Sequence, residues 1–259
     1  FFFKKNNLID ADGFLSASSR RQVILDVTNG QTDSTVTDYG RMTIEIISGS
    51  ETQFNVNMLS GTFGFSNVLV PTTTDAITIS DGNWRNFGFV FNTDESTPTL
   101  DFYVNGKCVE TGIAGTGDGS GAGINEVTGT MIANLGALRQ SPAAYSGLSE
   151  GDGKLSASLD EFRFWKEARN AEKIGRHWFT NIEGGSNKSE ANVGLGVYFK
   201  FNEGITLTSS IDQLVLDYSG RLSNGLFTGY NSTYSRNTGS AIDDLSLTSI
   251  SERGDPIIR

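Results

Sequence analysis

The stretch from Trp84 to Glu110, WRNFGFVFNTDESTPTLDFYVNGKCVE, constrains this chain most. Phe87, Phe89 and Phe91 recur at every second residue, and so do Leu100, Phe102 and Val104. That period marks one face of a β-strand, because successive side chains point to opposite sides. Asn105-Gly106 follows, and both residues tolerate the positive φ that a two-residue type I′ turn requires. Lys107 to Thr111 then reads as the returning strand. Three antiparallel strands with an aromatic face must bury that face against a second layer.

The rest of the chain continues the pattern. Gln22 to Val27, Met42 to Ile47, Phe54 to Met58 and Met131 to Gly136 read as strands, as do the shorter Phe14 to Ser18, Val68 to Pro71 and Ile77 to Ile79. Val193 to Phe201 alternates cleanly, and Val215 to Tyr218 is a further strand. Leu155, Ala157 and Leu159 alternate in one phase and Phe162 and Phe164 in the other. A one-residue phase change is what a β-bulge at Asp160-Glu161 produces. A single helix is expected over Ala171 to Phe179, capped by Asn170, with Ile174 and Trp178 on one face. With 31 glycines, 4 prolines and 10% aromatic residues, turns outnumber helices. Pattern and composition lead to an all-β sandwich or barrel with one short helix.

Two long loops stand out as candidate rims, Gly115 to Gly123 and Gln140 to Lys154, because flexible loops on a rigid scaffold carry much of protein function. Chemistry is scarce elsewhere. His177 is the only histidine and Cys108 the only cysteine, which excludes a two-histidine or cysteine-rich zinc site and any internal disulfide. No phosphate-loop motif is present. The net charge of −10 argues against a nucleic-acid partner, and no apolar run is long enough to span a membrane.

The order of motifs resembles that of the laminin-G-like, concanavalin-A-like jelly-roll modules. A Trp-led strand begins at Trp84, and Tyr103-Val104-Asn105-Gly106 ends the next hairpin strand. Leu135-Gly136 matches a later strand, and Asp160-Glu161-Phe162-Arg163-Phe164-Trp165 precedes a capped helix. The resemblance covers about residues 1 to 180 and narrows the expected fold to an antiparallel jelly-roll β-sandwich. The opening strands of such a module are missing ahead of Phe1 to Lys5, which reads as a strand ending, so the chain reads as a piece of a longer polypeptide. A matching opening comes late, in Gly194 to Phe201, Glu203-Gly204, Leu216 to Gly220 and Asn224-Gly225. The expected division is therefore residues 1–187 as one jelly-roll domain and 188–259 as the start of a following module or as strands completing the first.

The resemblance implies a non-catalytic recognition, adhesion or structural module of a larger surface or virion (phage-type) protein, extracellular or on a surface. Its partners would be a glycan or protein ligand and neighbouring modules or subunits. The alternatives are a glycoside hydrolase on the same fold and a purely structural assembly module. Hydrolases of this fold carry a Glu-x-Asp-x-x-Glu run that is absent here, and the adjacent Asp160 and Glu161 do not suit two carboxylates flanking a glycosidic bond. No catalytic, cofactor-binding or metal-ligating residue is assigned. The one ion the loops could hold is calcium, which needs several oxygen ligands. Its candidates are Asp10, Asp12, Asp94, Glu95, Asp118 and Asp152. The hairpin register also sets Asp101 opposite Glu110, a like-charge pair that a Lys, an Arg or an ion would bridge. Arg253-Gly254-Asp255 and the sequons at Asn187 and Asn231 read as chance matches.

Overall fold

The structure, a computed structural model, describes residues 1–5, 21–47, 52–73, 77–117, 124, 127–141, 148–185, 189–231 and 235. Its strands are β1 (Phe2–Lys4), β2 (Arg21–Thr28), β3 (Gly40–Ile47), β4 (Phe54–Ser60), β5 (Phe63–Val70), β6 (Arg85–Asn92), β7 (Thr99–Val104) and β8 (Lys107–Ala114). They continue with β9 (Ile132–Leu135), β10 (Ser158–Asp160), β11 (Phe162–Trp165), β12 (Leu195–Phe199), β13 (Leu214–Val215) and β14 (Gly225–Leu226). Two short helices accompany them, α1 (Ala171–His177) and α2 (Ser209–Asp212). One five-stranded sheet has the order β10-β1-β6-β7-β8 and the other the order β5-β4-β3-β2-β9. The expected antiparallel β-sandwich is what forms. No helix among the described residues is long and apolar enough to cross a membrane.

Contacts divide the chain into two compact units, Lys4–Val104 with Cys108–Ser158, and Phe1–Phe3 with Asn105–Lys107 and Leu159–Arg259. The larger unit, the first of these, holds the sandwich core. The β6–β7 register sets Phe87 against Val104, Phe89 against Phe102 and Phe91 against Leu100, so the alternating residues share one face. Phe54 of β4 meets that face. Its ring lies 4.9 Å from Phe87 and 5.4 Å from Phe89, both edge-on, while Phe65 of β5 meets Phe91 at 5.6 Å. Offset edge-to-face pairs contribute about 0.5–1.5 kcal/mol beyond the area they bury. The second sheet is a meander, β2 to β5. Its far edge is filled by β9, antiparallel to β2, with Ile132 opposite Thr28 and Leu135 opposite Leu25.

In the smaller unit β11 pairs with β12, Phe162 opposite Phe199, and β13 pairs with β14. Residues Asn105 and Gly106 have φ of 48° and 74°, as the turn chemistry requires. Gly106 is also required sterically, since a Cβ there would collide with the indole of Trp178. Helix α1 begins as expected, with the Asn170 side chain accepting from the Lys173 N–H at 2.9 Å.

Three expectations change. Among the described residues there are two helices rather than one, because a single turn such as α2 leaves no periodicity in the sequence. Ile77 to Ile79 forms no strand; Ile79 is buried in a turn, so its apolar character reflects packing rather than pairing. Val68 to Pro71 is the end of a longer strand, β5, which begins at Phe63. Phe14 to Ser18 lies outside the described residues.

Candidate functional site

The site grows out of one irregularity in β2. The β2–β3 register shifts between Val23 and Leu25. The extra residue reverses the side-chain phase, as a bulge does, so Val23 and Asp26 lie on the same outer face of the sheet. Val23 clusters there with Leu138 and Leu148, which sets both ends of the 138–153 segment against that face. The segment is closed at its base by backbone hydrogen bonds. Leu138 donates to Asp152 (2.9 Å), Gly151 to Leu138 (2.9 Å) and Val23 to Gly153 (2.8 Å). Gly153 has φ 68°, and a Cβ there would press on Val23.

Asp26 is fully buried and would be costly without partners. It is fully engaged. Arg41 Nε and Nη2 donate to its two oxygens at 3.0 and 2.8 Å, a bidentate fork. The Arg139 N–H donates to Oδ2 at 2.8 Å and the Gln140 N–H at 3.4 Å. Arg41 then donates to the carbonyls of Gln140 (2.8 Å) and Ser141 (3.1 Å). One buried ion pair thus holds the N–H groups of Arg139 and Gln140 and the carbonyls of Gln140 and Ser141.

A pocket of about 310 Å³ opens beside this clamp. Thr28, Gly30 and Ile132 line it from the ends of β2 and β9, and Arg139, Gln140, Ser141 and Glu150 from the loop. Arg139 Nη1 pairs with Glu150 Oε1, with side-chain exposures of 30% and 62%; an ion pair this exposed contributes at most about 1 kcal/mol and is easily exchanged. Gln140 Nε2 donates to the Gln31 carbonyl at 2.6 Å, and Thr28 Oγ1 lies 3.5 Å from Gln140 Oε1. Ile132 is 46% exposed and supplies the one large apolar surface. The lining therefore offers a cation, an anion, an amide, two hydroxyls and an aliphatic face on a backbone that is already fixed. The Gln140 to Lys154 rim expected from sequence contributes to this pocket. Of the Gly115 to Gly123 rim, residues 118–123 lie outside the described residues.

A second polar feature runs across the same sheet. Glu45 of β3 pairs with Arg21 at 3.1 Å and accepts from Asn55 Nδ2 at 2.9 Å, and Asn55 in turn reaches Asn67 at 3.4 Å. Burial raises the Glu45 pKa above its ordinary 4.5, and the nearby Arg21 offsets this only in part. A folded pKa above the unfolded one means the folded state holds the proton more tightly. Glu45 thus contributes most stability below the unfolded pKa, and that contribution is lost as pH rises through the folded value. We expect the stability of Glu45→Gln relative to wild type to increase between about pH 4 and about pH 7. Urea unfolding at both values measures it, and a constant gap would show that Glu45 ionises as freely as in the unfolded chain.

The carboxylates singled out from sequence are placed elsewhere. Asp10, Asp12 and Asp118 lie outside the described residues, as do Asn187 and Arg253-Gly254-Asp255. Asp152 Oδ2 accepts from the Ser149 N–H at 2.7 Å, an ordinary turn contact. Among the described residues no three His, Cys, Asp or Glu side chains gather as a metal site, which leaves Asp94 and Glu95 without such a cluster. Asp101 and Glu110 do not need a bridging cation. Asp101 accepts from Thr111 Oγ1 (2.7 Å) and the Gly112 N–H (2.8 Å), and Glu110 accepts from the N–H (2.7 Å) and hydroxyl of Thr72.

In the smaller unit, Asp160 and Glu161 are both buried. Glu161 has φ 51°, which breaks the strand between β10 and β11 where the phase change predicted a bulge. Its Oε2 accepts from Arg163 Nη2 at 2.8 Å and from the Tyr198 hydroxyl. Burial, foremost, pushes the Tyr198 pKa well above its ordinary value. Arg163 also donates to the carbonyls of His177 (2.8 Å) and Thr180 (2.6 Å). His177 itself is pushed below the usual imidazole range, first by burial and then by the Arg169 guanidinium.

No family model and no curated protein matches the chain. Among solved structures it is similar to a "putative carbohydrate binding protein" from Bacteroides ovatus, at 15% identity with a TM-score of 0.43. That match covers 87% of this chain and 55% of the other, so the chain spans about half of that protein's length. The sandwich is established by its own strand pairing.

Proposed function

We propose that this chain is a non-catalytic recognition module of a larger surface or virion-type protein, and that it binds a glycan in the pocket lined by Ile132 of β9, residues 139–141 and Glu150. The observation that carries this reading is the buried Asp26–Arg41 pair. It fixes the backbone of residues 139–141 ahead of any ligand, and a site ordered in advance loses less entropy on binding. Planar amide, guanidinium and carboxylate groups beside one aliphatic face suit a polyhydroxylated ring. The motif order of a laminin-G-like module, read from Trp84 to Trp165, agrees with this role. The non-catalytic part rests on Asp160 and Glu161. Glu161 is committed to Arg163 and Tyr198, and Asp160 accepts from the Glu161 N–H at 2.9 Å.

A glycan array probed with the intact chain tests the reading. Binding is expected, and Ile132→Lys should weaken it by about ten-fold or more, since removing an apolar contact and adding a charge costs on that scale. An array without hits would reject it. Hydrolysis of the bound glycan would reject the non-catalytic part.

A second reading, assembly with neighbouring chains through residues 193–259, is favoured by a separate observation. Leu207, Ile211, Leu222 and Leu226 are 87%, 57%, 83% and 64% exposed in the smaller unit. Exposed apolar side chains mark an interaction surface where they join into one patch, and a concentration-dependent sedimentation coefficient that Leu222→Lys abolishes would support this reading.

A further inference from the structure

We infer that the pocket selects an uncharged sugar unit through a vicinal diol held jointly by Arg139 and Glu150. The inference rests on the glycan-binding reading and adds to it the class of sugar and the two residues that choose it.

Charge argues first. The lining carries one cation and one anion, already paired with each other. An acidic sugar would have to separate Arg139 from Glu150 and then sit beside the freed carboxylate. A neutral ligand leaves the balance intact. It also avoids repulsion from a chain whose net charge is −10.

Hydrogen-bond chemistry argues second. A guanidinium only donates, in a planar fork, and an ionised carboxylate only accepts, through two oxygens. The pair uses one nitrogen of Arg139 and one oxygen of Glu150 on each other, which leaves further donors and the second carboxylate oxygen to a ligand. Two neighbouring hydroxyls fit both needs at once, because each hydroxyl donates one proton and accepts through its lone pairs. A carboxylate ligand could satisfy only Arg139, and an ammonium only Glu150. Both side chains can adjust, since each is partly exposed. The Arg139 main chain cannot, because its N–H is held by Asp26 at 2.8 Å.

Shape argues third. About 310 Å³ lies at the lower end of ligand-sized pockets, which suits one sugar unit rather than a long chain. Ile132, opposite Thr28 at the end of β9, offers its exposed side chain to the C–H face of the ring.

The test uses the intact chain and a panel of methyl glycosides of mannose, galactose and glucose, each beside a counterpart lacking one hydroxyl of the diol, with glucuronate as the acidic arm. Binding is read by ligand-detected NMR and by titration calorimetry. At least one neutral glycoside should bind, its deoxy counterpart about ten-fold or more weakly, as loss of a charge-assisted hydrogen bond implies, and glucuronate no better than glucose. Glu150→Gln and Arg139→Gln should each abolish the difference between a glycoside and its deoxy counterpart. Both positions are exposed enough that unfolding is not expected, and circular dichroism confirms it. If glycosides bind but either variant keeps the discrimination, or glucuronate binds best, the diol inference fails and the glycan reading stands. If no glycoside binds and the array is also blank, both fail.

Discussion

Replacing Asp26 with alanine is expected to destabilise the chain by about 3–5 kcal/mol, the cost of leaving a buried charge without its partner. Arg41 is 4% exposed and would keep only the carbonyls of Gln140 and Ser141, while the Arg139 N–H would lose its acceptor. Urea unfolding monitored by fluorescence measures the loss. The double variant Asp26→Ala, Arg41→Met should recover much of it, because replacing both members of a buried pair with apolar groups is often nearly neutral. The same double variant should still lose glycan binding, since the loop backbone would no longer be held. Recovery of stability without recovery of binding is the result that distinguishes an organising pair from a merely stabilising one. A loss below about 1 kcal/mol for Asp26→Ala would show that the carboxylate is not buried in solution as it is here.

The second large effect is expected at Glu161. Alanine there removes the counter-charge of Arg163 and the acceptor of the Tyr198 hydroxyl, again about 3–5 kcal/mol. Alanine keeps a Cβ, so the positive φ of 51° at this position is not relieved and offsets none of the loss. Glu161→Gln keeps an acceptor and should lie between wild type and alanine. Tyr198→Phe should cost about 1.5–3 kcal/mol, the scale of one hydrogen bond to a charged group. Thermal unfolding of the three variants orders them, and an alanine variant no worse than Tyr198→Phe would show that the ion pair adds nothing beyond that hydroxyl.

Much of the architecture was legible because it is local. The alternation of Phe87, Phe89 and Phe91 announces a strand within five residues, and Asn105-Gly106 announces its own turn. Even the break at Glu161 is visible as a change of phase. The pocket was legible only as a long loop. Its organising carboxylate lies inside QVILDV, where nothing separates a buried, partnered aspartate from an ordinary outward-facing one. Its partners are far along the chain, Arg41 at a separation of 15 and Arg139 at 113, and the bulge that turns Asp26 outward exists only in the pairing of β2 with β3. One signal was present. A lone acid in an otherwise apolar strand must find a cation or a set of N–H donors if it is buried. Asp101 and Glu110 show the converse. Their juxtaposition suggested a bridging Lys, Arg or ion, whereas Thr72, Thr111 and Gly112, whose roles depend on folded geometry, answer them one by one.

The pinning of the 138–153 segment at its base has a consequence for how such a site can diversify. Leu138, Gly151 and Gly153 close the loop through main-chain bonds that do not depend on the intervening side chains, and Asp26 with Arg41 holds residues 139–141 by their backbone. Leu148 belongs to that anchor too, through its packing on Val23 and Leu138, whereas the exposed side chains of Arg139 and Glu150 carry little of it. Lengthening a loop whose ends are already joined adds only about 0.6 kcal/mol per doubling. New specificities are therefore best sought by changing Arg139 and Glu150, which line the pocket, while the anchors and the sandwich beneath are left untouched.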